Sequence, residues 1–250
     1  MSAPAFDLSI IIPAYNEARR IVVSLATLSD HLQAHAHDLG AVEVLVVVAS
    51  GDDRTAELAR AQANAFDTFD VLDAGEPAGK GRDVRLGMRA ARGRYRLFMD
   101  ADLATPLHHL ETVAKLMRED ADVIIGVRDL QQSHRGLRKV ISNFGNHLVR
   151  RLLRLDIHDT QCGFKAFRGP VADDVFGRQT ILGWGFDIEI LALATQRGYR
   201  ISTIVIDDWQ DVAGGTFTNV AVTGALSTFG DLLRVRRSLA KSRSEASPAA

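Results

Sequence analysis

Several kinds of residue are scarce in this chain, and each scarcity removes a class of protein. One cysteine in 250 residues, Cys162, excludes an intramolecular disulfide framework and a cysteine-cluster zinc site. A lone thiol also agrees with a reducing compartment. No apolar run reaches about 18 residues, and no basic segment followed by an apolar core opens the chain, so neither a membrane span nor a secretory leader is expected. The chain therefore reads as soluble and unprocessed. Charge of one sign is missing too. Thirty Lys and Arg face 31 Asp and Glu for a net −1, so no global field favours nucleic acid or a membrane, and such a partner must be met by a local patch. Two tryptophans and eleven phenylalanines form no stacking ladder for single-stranded nucleic acid. The eight histidines form no ligand-spaced set, and His108-His109 read as surface. What remains, 46% hydrophobic and 24% charged residues, is the mix of a globular chain able to bury a sizeable core.

The first two thirds alternate short apolar β-branched runs with longer amphipathic ones. Residues 8–12, 42–48, 95–99 and 122–127 read as strands, the valine-rich second run as one covered on both faces. Residues 18–33, 54–63, 82–91 and 107–118 read as helices. Strand and helix in this order build βαβ units and a mostly parallel sheet flanked by helices, an α/β fold in a single domain over 1–241. Ligands of such sheets sit beyond the carboxyl ends of the strands, here residues 13–17, 49–53 and 100–105. Further on, a helical stripe covers 137–155, followed by a glycine-rich segment, a helix near 187–196 and a strand at 201–206. A last helix covers part of 218–239, and 242–250 is a small, polar tail expected to fray.

Phe98-Met99-Asp100-Ala101-Asp102 carries the strongest local signal. Two carboxylates one residue apart, leaving an apolar strand, can share a hard divalent cation, which would neutralise a diphosphate leaving group. A strand-end turn with two solvated aspartates satisfies the same spacing. Gly79-Lys80-Gly81 opens the helix before that strand, where exposed amides and one lysine suit a phosphate; an ordinary glycine loop fits as well. In Pro13-Ala14-Tyr15-Asn16-Glu17, Asn16 is placed to cap a helix, while Tyr15 and Glu17 are placed to face a nucleoside. Asp53 is placed to cap the next helix. Asp187 reads as a helix N-cap, and Asp187 and Glu189 point apart.

Taken in order, Ser-Ile-Ile-Ile-Pro-Ala-Tyr-Asn-Glu (9–17), Gly-Lys-Gly (79–81), Met-Asp-Ala-Asp-Leu-Ala-Thr-Pro (99–106), Asp-Thr-Gln-Cys-Gly-Phe-Lys (159–165) and Trp-Gly-Phe-Asp-Ile-Glu (184–189) resemble family 2 glycosyltransferases of the GT-A fold. The resemblance is closest to the dolichyl- or polyprenyl-phosphate β-glucosyltransferases, covers roughly residues 8 to 236, and has its most specific element in 159–165. It implies an inverting transfer of a hexose, glucose from UDP-glucose, onto a polyprenyl phosphate at the cytoplasmic membrane face. It implies that Pro13, Tyr15 and Glu17 hold the nucleoside and that Lys80 lies near the pyrophosphate. Asp100 and Asp102 would bind the donor or its Mg2+ or Mn2+, with Asp102 the preferred direct ligand. Gln161 would meet the sugar or the acceptor phosphate, Arg128 a phosphate, and Asp187 would orient the nucleophile or the transferred sugar. Because the acceptor phosphate is already an anion, no strong general base is required.

Two departures from the family pattern both touch the donor. Val48 and Ala49 stand where relatives carry an aspartate pair, with Asp52 and Asp53 the nearest carboxylates. After Trp209 the chain reads Asp211-Val-Ala-Gly-Gly-Thr216 in place of a Gly-Ser-Lys or Gly-Ser-Arg string. Rival readings are a related transferase using another donor (GDP-mannose) or a soluble acceptor, and a weakened homologue that binds nucleotide sugar without turnover. The segment 128–154 has seven basic residues against Asp129 and an apolar stripe at 137, 141, 144, 148, 152 and 155. It can lie peripherally on an anionic bilayer, or pack on the core with a solvated basic face. Arg234, Arg236, Arg237, Lys241 and Arg243 make a second such cluster. On the membrane reading, charge reversal at Arg150 and Arg154 weakens sedimentation with anionic liposomes; unchanged salt-dependent sedimentation leaves core packing as the account.

Overall fold

Alternation along the strands sets the layers. Strand β2 (Val42–Ala49) sends Val44, Val46 and Val48 to one face and Leu45 and Val47 to the other, all buried. Strands β1 (Phe6–Ala14) and β4 (Gly93–Met99) do the same with Leu8, Ile10 and Ile12 against Ile11, and with Tyr95 and Leu97 against Phe98. Two apolar faces require two helical layers. Helices α1 (Ile21–Ala34), α3 (Thr55–Arg60) and α5 (His109–Arg118) cover the first face, with α2 (Ala36–Leu39) beside them. Helices α4 (Lys80–Ala90), α6 (Gly169–Arg178) and α7 (Phe186–Gln196) cover the second. These positions come from a computed structural model that describes residues 4–128, 157, 159–209, 234 and 235.

With β3 (Phe69–Gly75), β5 (Val123–Arg128), β6 (Phe164–Arg168) and β7 (Ile201–Ile206), the sheet has seven strands in the order β3-β2-β1-β4-β6-β5-β7. Neighbours are parallel except at β6, which runs antiparallel to both β4 and β5. The chain steps outward from β1 to β2 to β3, then returns through α4 on the other face to β4. The carboxyl ends of β1 and β4 therefore flank the point where the winding reverses, the place where a sheet of this kind opens a crevice.

The strands and helices expected within the described residues are present, the last helix expected within 218–239 falls almost wholly outside them, and three further elements are not legible as periodicity. Strand β3 is an edge strand carrying Asp70 and Asp73, so its pattern is weak. Strand β6 has five residues and places Lys165 at a buried position. Helix α6 starts Gly169-Pro170 and contains Gly177, so it reads as loop although proline suits a first turn. Asn16 does not cap α1. It takes a positive φ of 55°, and its Oδ1 accepts the Asp52 amide at 3.1 Å, so it ties two turns together. Nor is Asp187 an N-cap, because α7 already begins at Phe186. Among the described residues no helix is long and apolar enough to cross a membrane. The stripe at 137–155, Thr216, the tail, and the second basic cluster apart from Arg234 lie outside the described residues.

Helix α4 rides close to the sheet because of Gly87: a Cβ there would lie 2.4 Å from Ile11 Cγ2 and 2.8 Å from Val47 Cγ2. Gly87→Ala is expected to lower stability by about 1–3 kcal/mol through overpacking, despite alanine's better helix propensity. Urea unfolding checks this.

Candidate active site

The β1 and β2 ends are laced together by backbone-to-side-chain bonds. Asp53 accepts the Ala18 amide on one oxygen at 3.0 Å, and the Thr55 amide and hydroxyl on the other at 3.0 and 2.6 Å. The Thr55 hydroxyl in turn accepts the Glu17 amide at 2.8 Å. These bonds hold Asp53 below its ordinary pKa although burial opposes them. Glu17 is thereby turned into the crevice, with Arg20 Nε 2.7 Å from its carboxylate. Tyr15 stands 49% exposed at the rim. Val48 and Ala49 are buried within β2, so no carboxylate rises from those positions; Asp53 is spent on bracing and Asp52 is exposed.

Strand β4 delivers Asp100 and Asp102. Asp102 turns back on its own loop, its Oδ1 accepting the Ala104 amide at 3.1 Å, while Leu103 takes a positive φ of 52°. Asp100 pairs with Lys80 Nζ, which also lies 5.5 Å from the centre of the half-exposed Trp184 ring. Gly163 makes room for the Asp100 carboxylate: a Cβ there would lie 2.0 Å from Oδ2. Lys80 opens α4 because Gly79 precedes it with φ 109°, and there a Cβ would meet the Leu182 carbonyl oxygen at 2.6 Å.

Behind this edge stands Lys165, fully buried on β6, donating to Asp187 Oδ1 and to the Cys162 carbonyl oxygen, each at 2.5 Å. Asp187 is 3% exposed, so the structure makes its carboxylate the counter-ion of Lys165. Glu189, pointing elsewhere, accepts the Thr180 and Ile181 amides and the Thr180 hydroxyl, which holds the loop entering α7. Arg128 at the end of β5 forms a two-pronged pair with buried Asp159, at 2.6 and 3.1 Å, and its guanidinium faces Trp209 at 5.2 Å. The same Asp159 accepts the Gln161 amide at 3.1 Å, which presents the Gln161 side chain on the exposed side of the turn.

The fields overlap. Burial pushes up the pKa of Glu17, and Asp102, Asp100 and Asp53 add to the rise against Arg20. Burial and Asp100 push up Asp102, opposed by the Ala104 amide, Arg20 and Lys80. Burial raises Asp187 against Lys165 and Lys80. Lys80 is lowered by burial but raised more by Asp100, Asp187 and Asp102. Glu17, Lys80, Asp100, Asp102 and Asp187 thus lie in one electrostatic neighbourhood, in which burial, with neighbouring carboxylates adding, holds Glu17, Asp102 and Asp187 above their ordinary pKa. An added cation relieves that strain, and the donor set, oxygen throughout at Asp100 and Asp102, suits a hard ion.

Sequence reading left Lys165 and Asp159 without roles and missed Arg20 and Thr55. A lysine among Phe164, Ala166 and Phe167 was the available signal for the first. The histidines need correction. His31 and His35 gather with Glu111, and His108 and His109 with Asp208, while His109 is buried rather than on the surface. An i, i+4 histidine pair on α1 was the signal overlooked.

Residues 9–176 match the family model for glycosyl transferase family 2. The chain is 30% identical over 244 residues to a dolichyl-phosphate beta-glucosyltransferase of Trichomonas vaginalis, covering 93% of this chain and 73% of that one. It is 31% identical to the dolichyl-phosphate beta-glucosyltransferase of Drosophila melanogaster, over 86% of this chain and 71% of the relative. Among solved structures, glucosyl-3-phosphoglycerate synthase from Mycobacterium tuberculosis, crystallised with Mn2+, UDP and phosphoglyceric acid, aligns with a TM-score of 0.65. That match covers 92% of this chain and 78% of the other at 16% identity, a likeness of fold, the GT-A fold.

Asp159 supplies a pH test. Burial would raise its pKa, but the bonds and charge of Arg128 and the Gln161 amide lower it below 3.8. A depressed carboxylate contributes stability that is complete above the unfolded value and is lost as pH falls through the folded value. Asp159→Asn is therefore expected to cost about 2–3 kcal/mol at pH 7 from lost charge-assisted bonds. The gap from the parent should narrow only below pH 3.8, as urea titrations from pH 7 to pH 2 would show.

Proposed function

The chain belongs to glycosyltransferase family 2, and from that premise we propose that it transfers glucose, with inversion, from UDP-glucose to a polyprenyl or dolichyl phosphate at a membrane surface. The observation that carries the reading is the convergence of Asp100, Asp102, Lys80 and Glu17 on the crevice between β1 and β4. The two relatives that bear the name dolichyl-phosphate beta-glucosyltransferase, matched over most of both chains, support the acceptor class.

In this reading Pro13, Tyr15 and Glu17 line the nucleoside end of the crevice, and Lys80 meets the diphosphate. Asp100 and Asp102 would hold Mg2+ or Mn2+, which supplies charge neutralisation for the departing diphosphate. The raised pKa of Asp102 and the carboxylate excess around it fit that assignment. A lipid phosphate oxygen attacks the anomeric carbon from the face opposite the leaving group. The bond from that carbon to the acceptor oxygen forms as the bond to the UDP oxygen breaks, and UDP leaves with the electron pair. No proton must be removed from the nucleophile, so the residues act by placement and screening of like charges. Gln161, exposed on its turn, reaches the sugar or acceptor phosphate. Arg128, fixed by Asp159, presents its remaining guanidinium edge to a phosphate. Asp187 is a positioning residue acting through Lys165. The basic segment 128–154 brings the protein peripherally to the cytoplasmic face.

Purified protein with Mg2+ or Mn2+, a panel of UDP- and GDP-sugars and a short polyprenyl phosphate in detergent should give a glycosyl-phosphoprenol identified by mass, with UDP-glucose the best donor. Product from GDP-mannose alone, or with phosphoglycerate as sole acceptor, would replace the reading. Asp102→Ala is expected to lose at least about 100-fold in turnover while keeping its fold by circular dichroism, because the residue sits on a strand-end loop and gives up only the bond to the Ala104 amide.

A further inference from the structure

Two histidines one helical turn apart, and a glutamate facing them, lie outside the crevice and have no part in the chemistry above. On α1, His31 and His35 stack their rings 4.3 Å apart at 25°. Glu111, in the first turn of α5, projects its carboxylate onto both: Oε1 lies 3.0 Å from His31 Nε2 and 3.3 Å from His35 Nε2. All three ligand atoms fall within 4.8 Å of one another. Ligands bound at 2.0–2.1 Å around a tetrahedral zinc ion stand about 3.3–3.4 Å apart, so the two His–Glu separations are close to those of ligands sharing one ion.

Well-aligned hydrogen bonds do not account for the cluster, although both imidazoles stand at ion-pair distance from the Glu111 carboxylate. His31 Nε2 and both Glu111 carboxylate oxygens are buried from water without a hydrogen-bond partner. His35 Nδ1 lies 2.9 Å from the His31 carbonyl oxygen, which can only accept, so that nitrogen carries the ring proton. In the neutral ring, Nε2 then turns a lone pair toward the Glu111 oxygen, acceptor against acceptor. An outer bond from Nδ1–H to a carbonyl is also how ligating imidazoles are oriented. We propose that His31, His35 and Glu111 bind a divalent transition-metal ion of the Zn2+ class, separate from the oxygen site at Asp100 and Asp102, and that the ion clips α1 to α5. Two imidazoles and one carboxylate favour a borderline ion over Mg2+. The neighbouring His108, His109 and Asp208 cluster is a weaker candidate, since His109 Nε2 already bonds Asp208 at 2.9 Å and His108 is exposed. The clip would join the helix that leaves the Tyr15–Glu17 turn to the helix that follows the Asp100–Asp102 loop.

The test is a Zn2+ titration of untagged, chelator-stripped protein against a chromophoric competitor, in excess Mg2+ to saturate oxygen sites. Thermal unfolding with and without Zn2+ is measured alongside, and X-ray absorption reports the ligands. Parent protein should bind one equivalent through two imidazoles and unfold at higher temperature when loaded. His35→Gln and Glu111→Gln, checked for fold by circular dichroism, should bind at least about tenfold more weakly and lose the thermal shift, while His108→Ala keeps both. Equal binding by folded His35→Gln and Glu111→Gln overturns the assignment, as does no binding by the parent, or loss confined to His108→Ala.

Discussion

An ammonium shut away from water holds the working edge of this molecule together. Lys165 is fully buried, and its charge is answered by Asp187 and the Cys162 carbonyl oxygen, with the Phe98 ring face 5.3 Å away. Removing one member of such a pair leaves an uncompensated buried charge, a loss of about 3–5 kcal/mol. Three separate pieces of chain are therefore bound to one point: the turn before β6, the head of α7, and the end of β4 two residues before Asp100. The antiparallel direction of β6 makes this possible. It brings Lys165 into register with Phe98 and Phe164 with Met99, so Gly163 arrives beside Asp100.

Polar groups at the two ends of the sheet are treated in opposite ways. Toward the amino ends of the strands, buried Glu43 accepts the Ser9 hydroxyl at 2.6 Å and the Arg92 amide at 2.5 Å, and Ser9 Oγ accepts the Gly93 amide at 2.7 Å. The Glu43 carboxylate also meets the Arg92 guanidinium, so this buried charge is paired, which rigidifies without inviting a ligand. At the carboxyl ends, Glu17, Asp102 and Asp187 are all held above their ordinary pKa, with Lys80 shared among Asp100, Asp187 and Asp102. Such a field is costly in the resting protein, and a bound cation would relieve it. The stability of one edge makes the electrostatic tension of the other tolerable.

The departures at Val48 and Ala49 gain a physical meaning in this frame. Both side chains face the core within β2, and Asp53 spends its oxygens on Ala18 and Thr55. The β2 side of this end of the crevice is thus apolar and its wall is the Glu17 turn, held by Thr55 and Asp53. In place of a free carboxylate at the end of β2 stands a scaffold of Asp53 and Thr55 that holds the Glu17 turn.

Much of this was legible in the one-dimensional pattern. Valine-rich β2, the apolar runs before Pro13 and Asp100, and the amphipathic stretches between them require a two-faced sheet under helices, because alternation and helical period report burial directly. The Asp100, Asp102, Lys80 and Glu17 positions were legible because strand ends and helix starts expose polar groups at predictable places. Contacts between residues far apart in sequence were not legible. The antiparallel β6, the pairing of Lys165 with Asp187 and of Arg128 with Asp159, and the meeting of His31 and His35 with Glu111 were decided by tertiary structure alone. Each depends on which segments pack side by side, and local periodicity carries no record of a partner 22, 31 or 76 positions away.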